Sequence, residues 1–187
     1  YMDELAKRLA ENPPSGHDGR TVLLAPSWGS SAILSRYGEK MIDALLKTGY
    51  HIIVRPHPQS FVSEKELIEG IIKKYPASEQ LEWNRDNSNF EVLKRADIMV
   101  SDFSGVIFDF TLVYDKPVIY TDTDYKSDPY DSWWLDGEPW TFRVLPSLGE
   151  KLTKDNFDGL KQLIDCCLTD QRFKDGRDAV RRAVWEY

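Results

Sequence analysis

Short apolar runs that alternate with amphipathic helical patterns constrain the fold of this chain more than any other feature. The runs cover residues 21–25, 51–54, 98–101 and 118–120, and Leu81-Glu82-Trp83 is a further short strand candidate. Buried parallel strands have continuous apolar sequences of this kind, and the helices between them cover both faces of the sheet. We therefore predict an α/β fold with a Rossmann-like parallel sheet and helices on both faces.

The domain organisation is expected to be simple, because 187 residues fit a single domain. Residues 11–20 combine prolines, glycines and polar residues and are typical of a linker. A helix-like segment precedes them, which indicates a chain cut from a longer protein. We predict a helix and linker over residues 1–20 and one domain over residues 21–187.

Composition narrows the classes of protein to which the chain can belong. The net charge of −7 argues against nucleic-acid binding through the overall field of the protein. No apolar run has the length needed to span a bilayer. Cys166 and Cys167 are adjacent in a helical pattern, so their side chains point to different faces and a disulfide between them is not expected. We predict a cytoplasmic protein.

The apolar run at residues 98–101 leads into Ser-Asp-Phe-Ser-Gly and then a predicted helix, a pattern that favours anion binding. Free backbone N–H groups at the helix start attract a phosphate, and Gly105 allows it a close approach. The hydroxyls of Ser101 and Ser104 add donors, and Asp102 lies between them. Asp109, further along the helix, is placed to bond a ribose. The alternative is that Asp102 or Ser104 only caps the helix.

Two further loops are predicted to meet the first at the same edge of the sheet, because the carboxyl ends of parallel strands converge on a ligand crevice. Arg55 and His57 follow the second run in the sequence Arg-Pro-His-Pro, whose prolines stiffen the turn. His57 is a candidate general base, or a cation beside developing phosphate charge, and Arg55 supplies a fixed positive charge. Ser27, Trp28 and Gly29 follow the first run and are predicted to wall the crevice.

Metal binding is not expected. The chain has no Walker-type glycine loop, no GxGxxG sequence and no Cys/His spacing typical of zinc sites. Asp122, Asp124 and Asp128 lie close together in the sequence but lack the glycine and glutamate of a calcium loop. The aromatic residues of 121–140 either pin a long loop to the sheet or stack on a sugar.

Three segments, in this order, resemble one known protein family. They are Arg-Pro-His-Pro at residues 55–58, Ser-Asp-Phe-Ser-Gly-Val-Ile-Phe-Asp-Phe at residues 101–110 and Asp-Lys-Pro-Val-Ile-Tyr at residues 115–120. Together they are similar to the carboxyl-terminal half of the CDP-glycerol glycerophosphotransferases, the primases and polymerases of teichoic acid. The resemblance extends over residues 21–164.

The resemblance implies a GT-B architecture, in which two Rossmann-like domains face each other across the active-site cleft. This chain would be the donor-binding half, and an amino-terminal acceptor domain would lie outside it. The loop of residues 101–105 would grip the diphosphate of a CDP-linked donor, Asp109 would lie near its ribose, and His57 would lie beside the phosphorus under attack. An acceptor hydroxyl, lipid-linked in related enzymes at the inner face of the plasma membrane, would displace CMP. The donor is a substrate, so no cofactor is implied.

Two positions depart from the family pattern. Gly29 stands where the first loop of the family usually has an arginine, and Gly105 stands where a second serine or threonine is more common. The sequence therefore does not determine which nucleobase the donor carries. One alternative is a GT-B glycosyltransferase or a sugar-nucleotide epimerase-like domain that uses a UDP-linked donor. Another is a nucleotide-binding module without catalysis.

Overall fold

A sheet of six parallel strands lies at the centre of the computed structural model, which describes residues 1–14, 19–121 and 139–185. The strands are β1 (Thr21–Leu24), β2 (His51–Val54), β3 (Leu81–Trp83), β4 (Ile98–Ser101), β5 (Val118–Thr121) and β6 (Gly149–Leu152). Their order across the sheet is β3-β2-β1-β4-β5-β6, and each neighbouring pair is parallel. This arrangement confirms the predicted Rossmann-like α/β fold.

Helices connect the strands and cover both faces of the sheet. They are α1 (Met2–Glu11), α2 (Ile33–Leu46), α3 (Ser60–Ser63), α4 (Lys65–Lys74), α5 (Phe90–Arg95), α6 (Val106–Phe108), α7 (Trp140–Leu148), α8 (Leu160–Thr169) and α9 (Gln171–Trp185). A π-helical turn (Asp109–Val113) continues α6, and a 3-10 turn (Phe157–Gly159) precedes α8. Gly38, with a φ of 45°, interrupts α2.

Alternate residues of each strand face two separate hydrophobic cores. Val22 and Leu24 of β1 belong to the first core, with residues of α2, α4 and α8. Leu23 and Ala25 belong to the second core, with residues of α1, α5 and α7. Successive side chains of a strand point to opposite faces, so a strand buried on both faces must be apolar at every position. This requirement explains the continuous apolar runs in the sequence.

The strand β6 was not predicted from the sequence. It reads Gly-Glu-Lys-Leu, and only its first and last residues are buried. Among the described strands it lies at the edge of the sheet and pairs with β5, where a Cβ atom on Gly149 would lie 1.5 Å from the carbonyl oxygen of Val118. Its two central residues, Glu150 and Lys151, are both charged, so the sequence of this strand contains no apolar run.

Helix α1 packs on the second core, to which it contributes Leu5. The guanidinium carbon of Arg8 lies 4.0 Å from the centroid of the Phe90 ring. The helix before the predicted linker therefore contacts the domain directly. The domain boundary at residue 20, and the amino-terminal domain beyond it, stay predictions.

Two other expectations concern cysteines and membrane spans. Cys166 is exposed and Cys167 is buried, and both are free thiols, as predicted. Over the described ranges, no helix combines the length and the apolar character needed to cross a membrane.

Candidate functional site

A pocket of about 390 Å³ opens at the carboxyl edge of the sheet. It lies where β1 and β4 adjoin and the strand order reverses, which is where open α/β sheets bind ligands. Its apolar lining comes from Leu23, Ala25, Pro26, Pro56, Pro58, Leu93 and Val106. The other lining residues are Arg55, His57, Asn87, Asn89, Ser104, Gly105 and Asp109. Five of the residues predicted for the site therefore meet in one cavity.

The Arg55 side chain is held by the loop between β3 and α5. Its Nε donates to Asn89 Oδ1 at 2.8 Å, and its Nη1 donates to Asn84 Oδ1 at 2.8 Å and to the backbone carbonyl of Asp86 at 2.6 Å. Burial lowers the pKa of Arg55 and the nearby Asp86 carboxylate opposes this effect. A guanidinium keeps its charge at neutral pH even so. The pocket therefore contains a positive charge fixed in one orientation.

The His57 ring lies beside Arg55 and the Trp28 ring. Its Nδ1 accepts a hydrogen bond of 3.1 Å from the backbone N–H of Gln59, and its centroid is 6.5 Å from that of Trp28. Burial lowers the pKa of His57, and Arg55 lowers it further, against the opposing effects of Asp102 and Glu64. A pKa below the ordinary 6.5 favours the neutral ring at pH 7. Because the accepting nitrogen carries no proton, the neutral ring holds its proton on Nε2.

The turn that begins α6 leaves backbone donors available at the pocket. The first amide bonded in the helical direction is that of Ile107, which donates to Ser104 O at 3.1 Å. The N–H groups of Gly105 and Val106 therefore have no acceptor within the helix. A Cβ atom built on Gly105 would meet nothing within 4 Å, so this position faces open space.

Asp109 begins the π-helical turn that continues α6 and lies half-buried in the pocket. Burial raises its pKa, and a hydrogen bond of 3.2 Å from the Tyr1 hydroxyl to Asp109 Oδ2 acts against this rise. Turns of this kind occur frequently at functional sites. The carboxylate can therefore accept a hydrogen bond from a ligand hydroxyl in the pocket.

Ser101 and Asp102 lie behind the pocket wall and are fully buried. The Ser101 hydroxyl donates to the carbonyl of Ala25 at 2.6 Å. The Asp102 carboxylate accepts from the backbone N–H groups of Ser27, Ile33 and Phe103 at 2.7 to 3.1 Å. Burial raises the pKa of Asp102, and these N–H donors oppose the rise. Both side chains hold backbone in place and face protein atoms.

Apart from Ala25 and Pro26, which line the pocket, the loop after β1 supports the site without lining it. Ser27 is buried against Asp102, and the ring of Trp28 lies next to His57. Gly29 has a φ of 92°, and its N–H donates to Glu64 Oε1 at 3.2 Å. A residue with a Cβ atom is strained at that φ, so this backbone disfavours the arginine that the family usually has. Ser27, Trp28 and Gly29 are not among the residues that line the pocket.

Three asparagines near the pocket were missed in the sequence analysis: Asn84, Asn87 and Asn89. They follow β3 in the sequence Asn-Arg-Asp-Asn-Ser-Asn, at the same edge of the sheet as the other loops. A polar segment directly after a third strand was the signal that could have identified them. Within the described residues, no group of three His, Cys, Asp or Glu side chains could hold a metal ion. Asp122, Asp124 and Asp128, and most aromatic residues of 121–140, lie outside those ranges.

Known proteins to which this chain is similar are longer than the chain. The minor teichoic acid biosynthesis protein GgaB of Bacillus subtilis (strain 168) is 32% identical over 117 residues, which is 57% of this chain and 12% of GgaB. The structure of the wall teichoic acid polymerase TagF matches 96% of this chain and 41% of its own, with a TM-score of 0.57 and 23% identity. A glycosyltransferase from Rickettsia africae ESF-5 matches 98% of this chain and 47% of its own, with a TM-score of 0.57 and 15% identity. The chain thus spans less than half the length of each.

The family assignment rests on a match that covers nearly the whole chain. The model of the CDP-glycerol:poly(glycerophosphate) glycerophosphotransferases matches residues 2–186. This range includes the three segments on which the resemblance was recognised, and it confirms that recognition. The chain therefore belongs to the CDP-glycerol:poly(glycerophosphate) glycerophosphotransferase family.

Proposed function

We propose that this chain binds the diphosphate of a CDP-linked polyol in the pocket beside Arg55 and His57. It would be the donor-binding part of an enzyme that transfers glycerol phosphate, or a similar polyol phosphate, to a hydroxyl acceptor in the synthesis of a cell-wall or surface polymer. The observation that carries the proposal is the meeting of Arg55, His57 and the open turn at Gly105 in one pocket at the switch point of the sheet. Membership of the family supplies the class of donor.

The pocket suits a diphosphate at one end and a nucleoside at the other. Arg55 offers its charge to phosphate oxygens, and the N–H groups of Gly105 and Val106, which have no acceptor within the helix, offer hydrogen-bond donors. The Ser104 hydroxyl adds a donor from the same turn. Asp109 lies one helical turn further on and is the proposed acceptor for a ribose hydroxyl.

The tautomer of His57 favours hydrogen-bond donation over the two roles predicted from the sequence, general base and cation. In the transfer, the acceptor oxygen forms a bond to the phosphorus that bears the polyol, the bond from that phosphorus to the CMP oxygen breaks, and CMP leaves with the electron pair. With Nδ1 bonded to the N–H of Gln59, neutral His57 presents Nε2–H. It therefore donates to a phosphoryl oxygen and stabilises the charge that develops there. The proton of the acceptor hydroxyl goes to another base.

The rest of the reaction is proposed to take place between this chain and a second domain. We place the acceptor site in an amino-terminal domain outside this chain, since TagF is more than twice as long as the part that matches. The proposed location is the cytoplasm, with peripheral contact at the inner face of the plasma membrane, where a lipid-linked acceptor can be reached.

Calorimetric titration with CDP-glycerol, CDP, UDP and UDP-N-acetylglucosamine tests this proposal. We expect CDP-glycerol and CDP to bind more tightly than either uridine compound, and Arg55→Met to weaken binding about tenfold or more, because it removes a charge-assisted contact. Ser104→Ala is expected to weaken it several-fold, whereas Ser147→Ala, at an exposed serine in α7, leaves it unchanged. A preference for the uridine compounds favours the glycosyltransferase or epimerase-like alternative. No binding of any of the four contradicts the proposal.

A further inference from the structure

We infer that Asn84 and Asn89 are positioning residues that orient Arg55 through neutral acceptors and so leave its positive charge for a bound phosphate. The inference rests on the proposed function. It explains how the site keeps its affinity for an anion. It assigns a role to the polar loop between β3 and α5.

The hydrogen bonds of Arg55 to the protein come from two of the three guanidinium nitrogens, Nε and Nη1. Nε and Nη1 bond to the side-chain oxygens of Asn89 and Asn84 and to the backbone carbonyl of Asp86. In the described ranges these acceptors are all uncharged carbonyl oxygens, and none of them contacts Nη2. The guanidinium is therefore fixed in direction while one nitrogen stays available to an anion in the pocket.

The carboxylate of Asp86, the one carboxylate of this loop, lies near enough to act on Arg55 through its charge but hydrogen-bonds to Asn84 instead. Asp86 Oδ2 accepts from Asn84 Nδ2 at 2.8 Å, and the backbone N–H of Asp86 donates to Asn84 Oδ1 at 3.4 Å. Asn84 is only 5% exposed, so this orientation is set in a protected environment. The buried amide of Asn84 thus donates from Nδ2 to the carboxylate of Asp86 and accepts at Oδ1 from Arg55.

Neutral acceptors matter because a carboxylate would compete with the ligand. A carboxylate that accepts from a guanidinium forms a strong, often bidentate ion pair and cancels its charge. An amide oxygen at the same distance orients the group and leaves its net charge intact. The arginine is already oriented when an anion enters the pocket. Binding therefore costs little side-chain conformational entropy.

The sharpest test is Asn89→Asp, which keeps the accepting oxygen and the shape but adds a negative charge. With inorganic pyrophosphate as the probe, we expect about tenfold weaker binding, because a charge in direct contact with the guanidinium opposes the anion. The dependence of affinity on salt concentration should also become less steep, which a purely structural role does not predict. Asn12→Asp adds the same charge at an exposed position and is expected to leave binding unchanged.

A second variant acts in the opposite direction and does not depend on how Asn89→Asp folds. Asp86→Asn keeps an oxygen for Asn84 Nδ2 but removes the carboxylate whose field acts on Arg55, so tighter pyrophosphate binding is expected. The inference is overturned if Asn89→Asp and wild type bind pyrophosphate equally, if Asn12→Asp weakens binding as much, or if the wild type does not bind the anion.

The same titrations separate this inference from the proposed function. If pyrophosphate binding follows the variants as expected but CDP-glycerol binds no more tightly than pyrophosphate, the inference stands and the proposed donor is wrong. If CDP-glycerol binds tightly and Asn89→Asp leaves that affinity unchanged, the proposed donor stands and the inference is wrong.

Discussion

The carboxylate of Asp102 joins two loops at the carboxyl edge of the sheet. It directly follows β4 and accepts hydrogen bonds from the backbone N–H groups of Ser27, in the loop after β1, and of Ile33, the first residue of α2. Trp28, between these two anchors, is thereby held beside His57. A residue that the sequence placed in contact with the ligand thus acts on the site through the loop that it fixes.

Replacing Asp102 by asparagine should lower the free energy of unfolding by about 1–3 kcal/mol, because an NH₂ group would face backbone donors where an oxygen now accepts them. The decrease is measured by urea unfolding, with Asp158→Asn, at an exposed aspartate in the turn before α8, as the control. An unfolding midpoint equal to that of wild type would contradict the role given to this carboxylate.

Binding of the donor should strengthen as the pH falls, through His57. Its pKa in the free chain lies below the ordinary value of 6.5 because of burial and Arg55. A bound diphosphate favours the imidazolium and raises that pKa, so binding takes up a proton in the window between the free and bound values. We expect CDP-glycerol to bind several-fold more tightly at about pH 5.5 than at about pH 8. His57→Gln should remove this pH dependence, and an equal dependence in both proteins would refute the explanation.

At the scale of helices and strands, the pattern of apolar residues predicted those elements whose burial is visible in their own sequence. Strands β1, β2, β4 and β5 contain consecutive buried apolar residues, and β3 has Leu81 and Trp83 on either side of one charge, whereas β6 carries two charges at its centre and was missed. The contacts of Arg55 were also missed, because Asn84 and Asn89 lie 29 and 34 positions away in the chain. Their contact with Arg55 depends on β3 lying next to β2, which a pattern of single residues does not encode.

Two glycines inside helices should respond in opposite ways to substitution by alanine. A Cβ atom on Gly176 of α9 would lie 1.9 Å from the carbonyl oxygen of Ser147, so α7 and α9 would have to separate. Gly70 of α4 has open space at the same position. We expect Gly70→Ala to raise the free energy of unfolding by about 0.5–1 kcal/mol, the intrinsic gain of alanine in a helix, and Gly176→Ala to lower it by about 1–3 kcal/mol. Thermal unfolding of the pair measures this, and a shift of the same sign in both would exclude the packing argument.

At the scale of the whole molecule, the two ends of the described chain meet on one face of the sheet. The indole Nε1 of Trp185, in α9, donates to the carboxylate of Asp3, in α1. The Tyr1 hydroxyl reaches Asp109 at the pocket, and Leu5 lies in the second core. The first helix thus links the far end of the chain to the site, although the sequence assigned it to a segment outside the domain.

Deleting residues 1–14 should therefore destabilise the domain. Leu5 is 9% exposed, and Leu5→Ala alone is expected to cost about 2–3 kcal/mol from the lost burial and the cavity left behind. Lys7→Ala, on the exposed side of the same helix, should have almost no effect. The deletion removes the Leu5 contact together with the contacts of Arg8 and Asp3, so its urea midpoint should fall below that of Leu5→Ala. A deletion variant as stable as wild type would show instead that these residues form a linker that the fold does not need.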